Sequence, residues 1–279
     1  PADLVLPRST YKPLQALGVL HTGLDLSEQQ LAVSIGSHVG SEQHVEVVRS
    51  ILHRYEIEES NLACPADYPE DSGSRERLIR AGVQRQPIFM NCSGKHAAML
   101  AASKARGWPL DSYLSPEHPL QLQIRSTIAV ISGDTESLVA VDGCGAALFG
   151  TTLVGIARSF RVLAQAQSGT NEGRIAGAMR AHPVLVQGVG QLNTLVMESF
   201  VGSIAKGGAE GVFGMATAEG ASVGIKVIDG SLRATTVIAI GALERIGALP
   251  AGTLAQHQEL NAPIFGGGKM VGEIRPVVS

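Results

Sequence analysis

Apolar residues in this 279-residue chain follow helical spacing up to about residue 200 and shorter, turn-separated runs after it. Leu4-Val5-Leu6, closed by Pro7, predicts a strand feeding a helix. That helix is marked by Ser9 as N-cap, Pro13 in a first turn, and Leu14, Leu17 and Leu20 at steps of three before Gly23 stops the run. Val45, Val48, Leu52 and Tyr55 step by three, four and three, the period of an amphipathic helix. Further helices are predicted from about 94 to 106, 118 to 131, 153 to 165, 172 to 181 and 191 to 200.

Past Phe200 the runs 203–206, 212–217 and 223–228, with Glu219-Gly220 and Asp229-Gly230 as turns, predict consecutive antiparallel strands. A closing helix over 233–246 ends at Gly247, and Gly266-Gly267-Gly268 sits in a looser tail. Strands at both ends around a helical middle predict an α+β fold: one antiparallel sheet from the two chain ends, flanked by helices, plus a mostly helical lobe. The expected division is a sheet-and-helix lobe from about 1–35 and 200–279 and a helical lobe of about 36–199. Together they form one unit with a cleft at the junction. No internal repeat or low-complexity linker interrupts it.

Composition narrows the partners. Lys plus Arg is 22 against 25 for Asp plus Glu, a net charge of −3 scattered along the chain, which argues against nucleic acid. Mean hydropathy is +0.16 with no apolar run of about 18 residues, which argues against a membrane span. Cys64, Cys92 and Cys144 are unevenly spaced and no basic, then apolar, leader opens the sequence, so a reducing cytoplasm is the expected compartment. The 33 glycines predict many tight turns and close backbone approaches.

Ser9 and Lys12 form an S-x-x-K pair at a predicted helix start, where a spacing of three sets hydroxyl and amine one turn apart on one face. A Lys neutralised by burial can take the Ser proton there. The second match, Ser203 to Lys206, lies on a predicted strand, whose period of two sends the side chains to opposite faces. Lys206-Gly207-Gly208 instead suggests a Lys followed by small residues along which substrate can lie. Ser9, Ser37 and Lys206 then reproduce the order of serine hydrolases that carry S-x-x-K, a middle hydroxyl and a strand Lys-x-Gly. Taken singly, the same residues are an N-cap, a turn Ser and a solvated Lys.

Two glycine-bearing segments fail as nucleotide motifs. Before Gly94-Lys95 the required Gly falls at Phe89 and His96 follows the Lys, while Gly143-Cys144-Gly145 has Leu148 at its third Gly position. What they share is a cysteine beside small residues. Cys92 and Cys144, with a neutral amine or an aspartate nearby, suit zinc, and equally suit a role as reduced structural thiols, which composition alone favours. His38 and His44, six apart, are not helical neighbours and do not pair as metal ligands.

Taken together, the segments 8–16, Ser37-His38, Asn91-Cys92-Ser93-Gly94-Lys95-His96, Val141-Asp142-Gly143-Cys144-Gly145, Met179 to Pro183 and 205–213 resemble the L-asparaginase II family of thermolabile, Rhizobium etli-like type. The resemblance spans residues 8 to about 247. It implies a fold like that of serine β-lactamases and glutaminases, and hydrolysis of L-asparagine to L-aspartate and ammonia. It further implies Ser9 as nucleophile with Lys12, a second pair Ser37 and Lys206, Asp142 as a carboxylate needed for activity, and His38 and Gly207 at the substrate. The resemblance also implies zinc on Cys92, Lys95 and Cys144 that aids substrate binding or site integrity without making the nucleophile, a homodimer, and a small-molecule substrate.

In the mechanism this suggests, amides near Ser9 and Gly207 stabilise the oxyanion while Ser37 and Lys206 protonate departing ammonia. The chain departs from the family pattern at Ser41 with Glu42 one place later, at Ala146, at Gln191 and near Asn193, where a further Cys is absent. These departures bear on the choice between asparagine and a related amide. Two other readings stand beside the first: a serine amidase for glutamine or another small amide, and a catalytically silent zinc-binding or scaffold protein.

Overall fold

The chain is described by a computed structural model covering residues 3–134 and 138–277. After a 3-10 turn over Arg8–Tyr11 come the helices α1 (Lys12–Leu20), α2 (Glu28–Ile35), α3 (Glu42–Arg54), α4 (Ser72–Arg80), α5 (Ser93–Ala105) and α6 (Pro119–Ser132). A short hairpin, β1 (Val139–Val141) with β2 (Ala147–Phe149), leads into α7 (Leu153–Ala164), α8 (Asn171–Ala181), α9 (Pro183–Val186) and α10 (Leu192–Ser199). Strands β3 (Ile204–Gly208), β4 (Val212–Ala216) and β5 (Ser222–Lys226) follow, then α11 (Thr235–Arg245), α12 (Thr253–Gln256), β6 (Ala262–Gly266) and β7 (Lys269–Ile274). The architecture is α+β with small antiparallel sheets.

Every residue of α1 is buried, and the helix packs against α2, α5, α6 and α8. Its Leu14 and Leu17 join Met99 of α5 and Ile124 of α6 in the main core. Helix α2 starts on a capping box in which Ser27 Oγ accepts from Gln30 N at 3.3 Å while Gln30 Oε1 accepts from Ser27 N at 3.1 Å. Helix α3 buries Val45, Val48 and Leu52, the stripe expected of it, and adds Ile51; Tyr55 falls just beyond as the C-cap.

In the order β3-β4-β5, β4 is central and wholly buried, with Lys206 opposite Gly214 and Gly208 opposite Val212. Helix α7 lies over β4 and β5. The outer edge of β3 faces the 3-10 turn. A Cβ on Gly208 would come within 2.8 Å of Pro7 O and Thr10 N, so only glycine lets this strand approach the turn that carries Ser9.

The chain ends do not share one sheet. Val5 makes an isolated antiparallel bridge to Thr151, with Val5 N donating to Thr151 O at 2.7 Å, because Pro7 and the positive φ of Arg8 (50°) turn the chain immediately afterwards. At the other end, β6 and β7 pair, among the described residues, only with each other. The tail expected to be loose is thus a hairpin, turning at Gly267 and Gly268, both at positive φ. Among the described residues, no helix is long and apolar enough to cross a membrane.

Candidate active site

The start of α1, the segment after α2, the start of α5 and the strand β3 converge on one cavity of about 380 Å³. Ser9, Ser37, Asn91, Asn193, Lys206 and Gly207 line it. Ser9 brings a partly exposed hydroxyl with no hydrogen-bond partner among the described residues. Ser37 sits just past α2, where Gly36 turns the chain to extended backbone, and its N–H donates to Val186 O at 3.0 Å.

Ser37 Oγ lies between two buried lysines, 3.0 Å from Lys12 Nζ and 3.0 Å from Lys206 Nζ. Lys12 Nζ also donates to Gly36 O at 2.5 Å and to Asn91 O at 3.4 Å, so three oxygens match the three N–H groups of an ammonium. The S-x-x-K hydrogen bond to Ser9 is not formed. The long Lys12 stem carries the amine across to these oxygens, which a single hydroxyl cannot outbid. Lys206 Nζ donates to Gly207 O at 2.6 Å, and burial, reinforced by the Lys12 charge, pushes this amine well below the ordinary lysine pKa, towards the neutral form. Ser203, its sequence neighbour in the second S-x-x-K match, is buried with its hydroxyl 3.4 Å from Val196 O and does not join the cavity.

The Gly207 N–H points elsewhere than a substrate oxygen: it donates to Asn193 Oδ1 at 2.8 Å. Ala209 N–H, just past β3 and on the cavity lining, has no acceptor among the described residues, and neither has Ser9 N–H. His38 is fully buried and does not line the cavity. Its Nε2 pairs with Ser93 Oγ at 3.0 Å, its Nδ1 accepts from Gly40 N at 3.2 Å, and its ring stacks on His44. Burial, then the neighbouring His44 and Lys12, holds it well below the ordinary pKa, so the ring is a neutral support for the segment bearing Ser37.

Behind the cavity lies a second polar cluster. Lys95 Nζ donates to Cys144 Sγ at 3.0 Å and lies 3.9 Å from Asp142 Oδ2, while Cys144 Sγ is 3.8 Å from the same oxygen. Arg8 Nε donates to the other Asp142 oxygen at 2.7 Å. A hydrogen bond from Cys92 and, against the cost of burial, the Lys95 ammonium bring the Cys144 thiol down to about 5. That same hydrogen bond, with burial, pushes Cys92 up to about 12, so the one proton stays on Cys92, shared between Cys144 and Asn91 Oδ1, which lies 3.1 Å from Cys92 Sγ. Burial opposes the Lys95 charge, but Cys144, Cys92 and Asp142 outweigh it and raise its pKa. Burial likewise opposes ionised Asp142, and Lys95, Arg8 and the Gly143 N–H hold its carboxyl below the ordinary value.

Two sulfurs and one amine are donor chemistry that suits zinc. Among the described residues, no three His, Cys, Asp or Glu side chains are grouped to hold a metal; the nitrogen beside the sulfurs is Lys95 Nζ, 3.0 Å from Cys144 Sγ. Cys64, also buried, is held as a thiol at about 12, first by burial, and donates to Pro87 O at 3.4 Å.

The family model for L-asparaginase II matches residues 1–276. The chain belongs to the L-asparaginase II family. No curated protein matches it. Membership supports an asparaginase or amidohydrolase function acting on a small molecule. Two of the positions that depart from the family pattern, Gln191 and Asn193, line the cavity, whereas Ser41 and Ala146 do not. Sequence reasoning passed over Glu70 and Gln187, which also line it. They carry no motif spacing; only the fold brings them to Ser9.

Proposed function

We propose that this protein hydrolyses the side-chain amide of L-asparagine to L-aspartate and ammonia through an ester on Ser9. The observation that carries the reading is the Ser37 hydroxyl held 3.0 Å from each of two buried lysine amines, in the cavity that Ser9 also lines. Lys206, which burial drives towards the neutral amine, is the proton acceptor. Ser9 attacks the amide carbon as its proton passes by way of Ser37 to Lys206. Lys12, hydrogen-bonded to Ser37 Oγ, Gly36 O and Asn91 O, borders this path, and the free amides of Ser9 and Ala209 receive the oxyanion. The C–N bond then breaks, and the proton on Lys206 returns through Ser37 to the departing nitrogen. Water attacks the ester, gives its proton to the same path and releases L-aspartate with Ser9 restored.

Zinc, when present, would be held by Cys92, Lys95 and Cys144, where it supplies fixed positive charge and ties α5 to the β1–β2 turn. None of the steps assigned to Ser9, Ser37 and Lys206 is placed on the metal.

Ser9→Ala is expected to lower ammonia release from asparagine by about 10⁴-fold or more with an unchanged circular dichroism spectrum. Wild-type turnover by that variant rejects the reading. Because Ser37 is the hydroxyl both amines touch, it is the second candidate nucleophile. Acid quenching followed by peptide mass mapping separates the two, since the ester resides on the peptide with Ser9 or on that with Ser37. Parallel assays with asparagine and glutamine distinguish the asparaginase from a glutamine amidase.

A further inference from the structure

The cavity beside Ser9 presents a single charge. Of its lining residues only Glu70 and Lys206 are ionisable, and Lys206 is driven towards the neutral amine by burial and by Lys12. Glu70 is exposed at the cavity, and its Oε1 accepts from Asn91 Nδ2 at 2.8 Å. Asn91 is anchored in turn: its backbone oxygen accepts from His38 N at 3.1 Å and Lys12 Nζ at 3.4 Å, and its Oδ1 accepts the Cys92 thiol. One carboxylate is thereby fixed relative to the residues that hold Ser37, with Oε2 and the remaining lone pairs of Oε1 open to a cationic donor.

We propose that Glu70 selects the substrate's free α-ammonium group, fixing which end of the amino acid lies away from the Ser9 hydroxyl. Moving an ammonium from water into a cavity is costly without an anionic acceptor, and the lining offers no other. The same charge repels the α-carboxylate, so the zwitterion enters in one orientation. Amides that lack the α-amine, or carry it acylated, lose this contact. The inference rests on the reading of asparagine as substrate at Ser9, and its test has an arm that does not.

The first arm compares kcat/KM for ammonia release from L-asparagine and from succinamic acid, which is asparagine without its α-amine. In wild type asparagine is preferred, and in Glu70→Gln the ratio falls by about 10- to 100-fold, the worth of a charge-assisted hydrogen bond. Glu70→Asp, which keeps the charge on a shorter stem, falls between the two. The second arm measures calorimetric binding of L-aspartate and of succinate to the full chain, without turnover. Glu70→Gln is expected to erase the preference for L-aspartate.

If the wild type releases no ammonia from asparagine, the reading of the reaction fails, and the binding arm alone then decides for or against Glu70. An unchanged aspartate-to-succinate preference in Glu70→Gln, or a wild type that shows none, overturns the proposal.

Discussion

Arg8 Nε donates to Asp142 Oδ1 at 2.7 Å, joining the residue before Ser9 to the turn that carries Cys144, across 134 positions of sequence. The Arg8 guanidinium also pairs with Glu210 Oε1 at 2.8 Å. Arg8 and Glu210 both sit at positive φ, 50° and 61°, and neither is glycine. The ion pairs therefore hold two strained backbones against each other, one before the proposed nucleophile and one in the turn after Ala209.

Arg8 has two separable roles, a side-chain tie and a backbone conformation. Arg8→Gln keeps the strain and removes both ion pairs; Arg8→Gly removes the ion pairs but relieves the strain. Both are expected to lower kcat for asparagine, by about 10-fold or more, since the Ser9 turn is no longer held. Arg8→Gln should be the less stable variant by about 1 kcal/mol, the cost of a non-glycine residue in the left-handed region. Equal denaturation midpoints for the two would place no strain at this position.

Ser37 and Lys206 act on the same proton, so their removal should not add. Ser37→Ala and Lys206→Met are each expected to cost about 10²- to 10⁴-fold in kcat, and the double variant little more than the worse single one. In the wild type the neutral amine is the active form. Its folded pKa is lowered, so activity is present above that pKa and falls as pH drops through it. Strictly multiplicative losses in the double variant would show that the two residues work separately.

Much of this was legible in the sequence. The helices α5, α6, α7, α8 and α10 lie within two residues of their predicted bounds because each has an apolar stripe at helical period. Helix α4 was not legible: its residues are mostly polar, and of them only Ser74 is buried. The strands β3, β4 and β5 were read from turn residues, but pairing partners are not written in local pattern. Val5 joins Thr151 and β6 joins only β7, outcomes set by where the chain turns. At the site, Ser9, Ser37 and Lys206 were found by order and spacing and do share one cavity. Which lysine touches which hydroxyl was not legible. It depends on the reach of the Lys12 side chain and on the carbonyls of Gly36 and Asn91, which no spacing rule sees. The occupied amide of Gly207 is of the same kind, since Asn193 reaches it from a separate helix.

Zinc uptake should report the protonation of its donors. Cys92 holds its proton, and the Lys95 ammonium is stabilised by its anionic neighbours, so metal binding must displace one proton from each. Protein purified without chelator is expected to hold near-stoichiometric zinc by elemental analysis, and Cys92→Ser or Cys144→Ser to lose it. Calorimetry of zinc titrated into chelator-stripped protein in buffers of different ionisation enthalpy should give release of about two protons per metal, with affinity falling as pH falls. No uptake at any pH would assign the cluster to an ammonium held between thiolate and carboxylate, complete without a metal.

Three of the four buried histidines, His38, His44 and His96, give the fold an acid-sensitive term. Burial is the leading cause that lowers His38, His44 and His96 from 6.5, and for His96, whose Nε2 has no hydrogen-bond partner among the described residues, the pKa falls to about 3. The folded chain therefore binds fewer protons than the unfolded one below pH 6.5. Stability is retained above the unfolded pKa and is lost as pH falls towards the folded values, by at most about 1.4 kcal/mol per pH unit for each group. Urea unfolding of the wild type between pH 7.5 and 5 should show this decline, and His96→Gln should flatten the slope by one such contribution whatever its effect on stability at pH 7.5. The slope is diagnostic because lost packing shifts the curve vertically, whereas a lost titration changes its gradient. An unchanged gradient in His96→Gln would mean that the imidazole takes up its proton as readily in the folded chain as in the unfolded one.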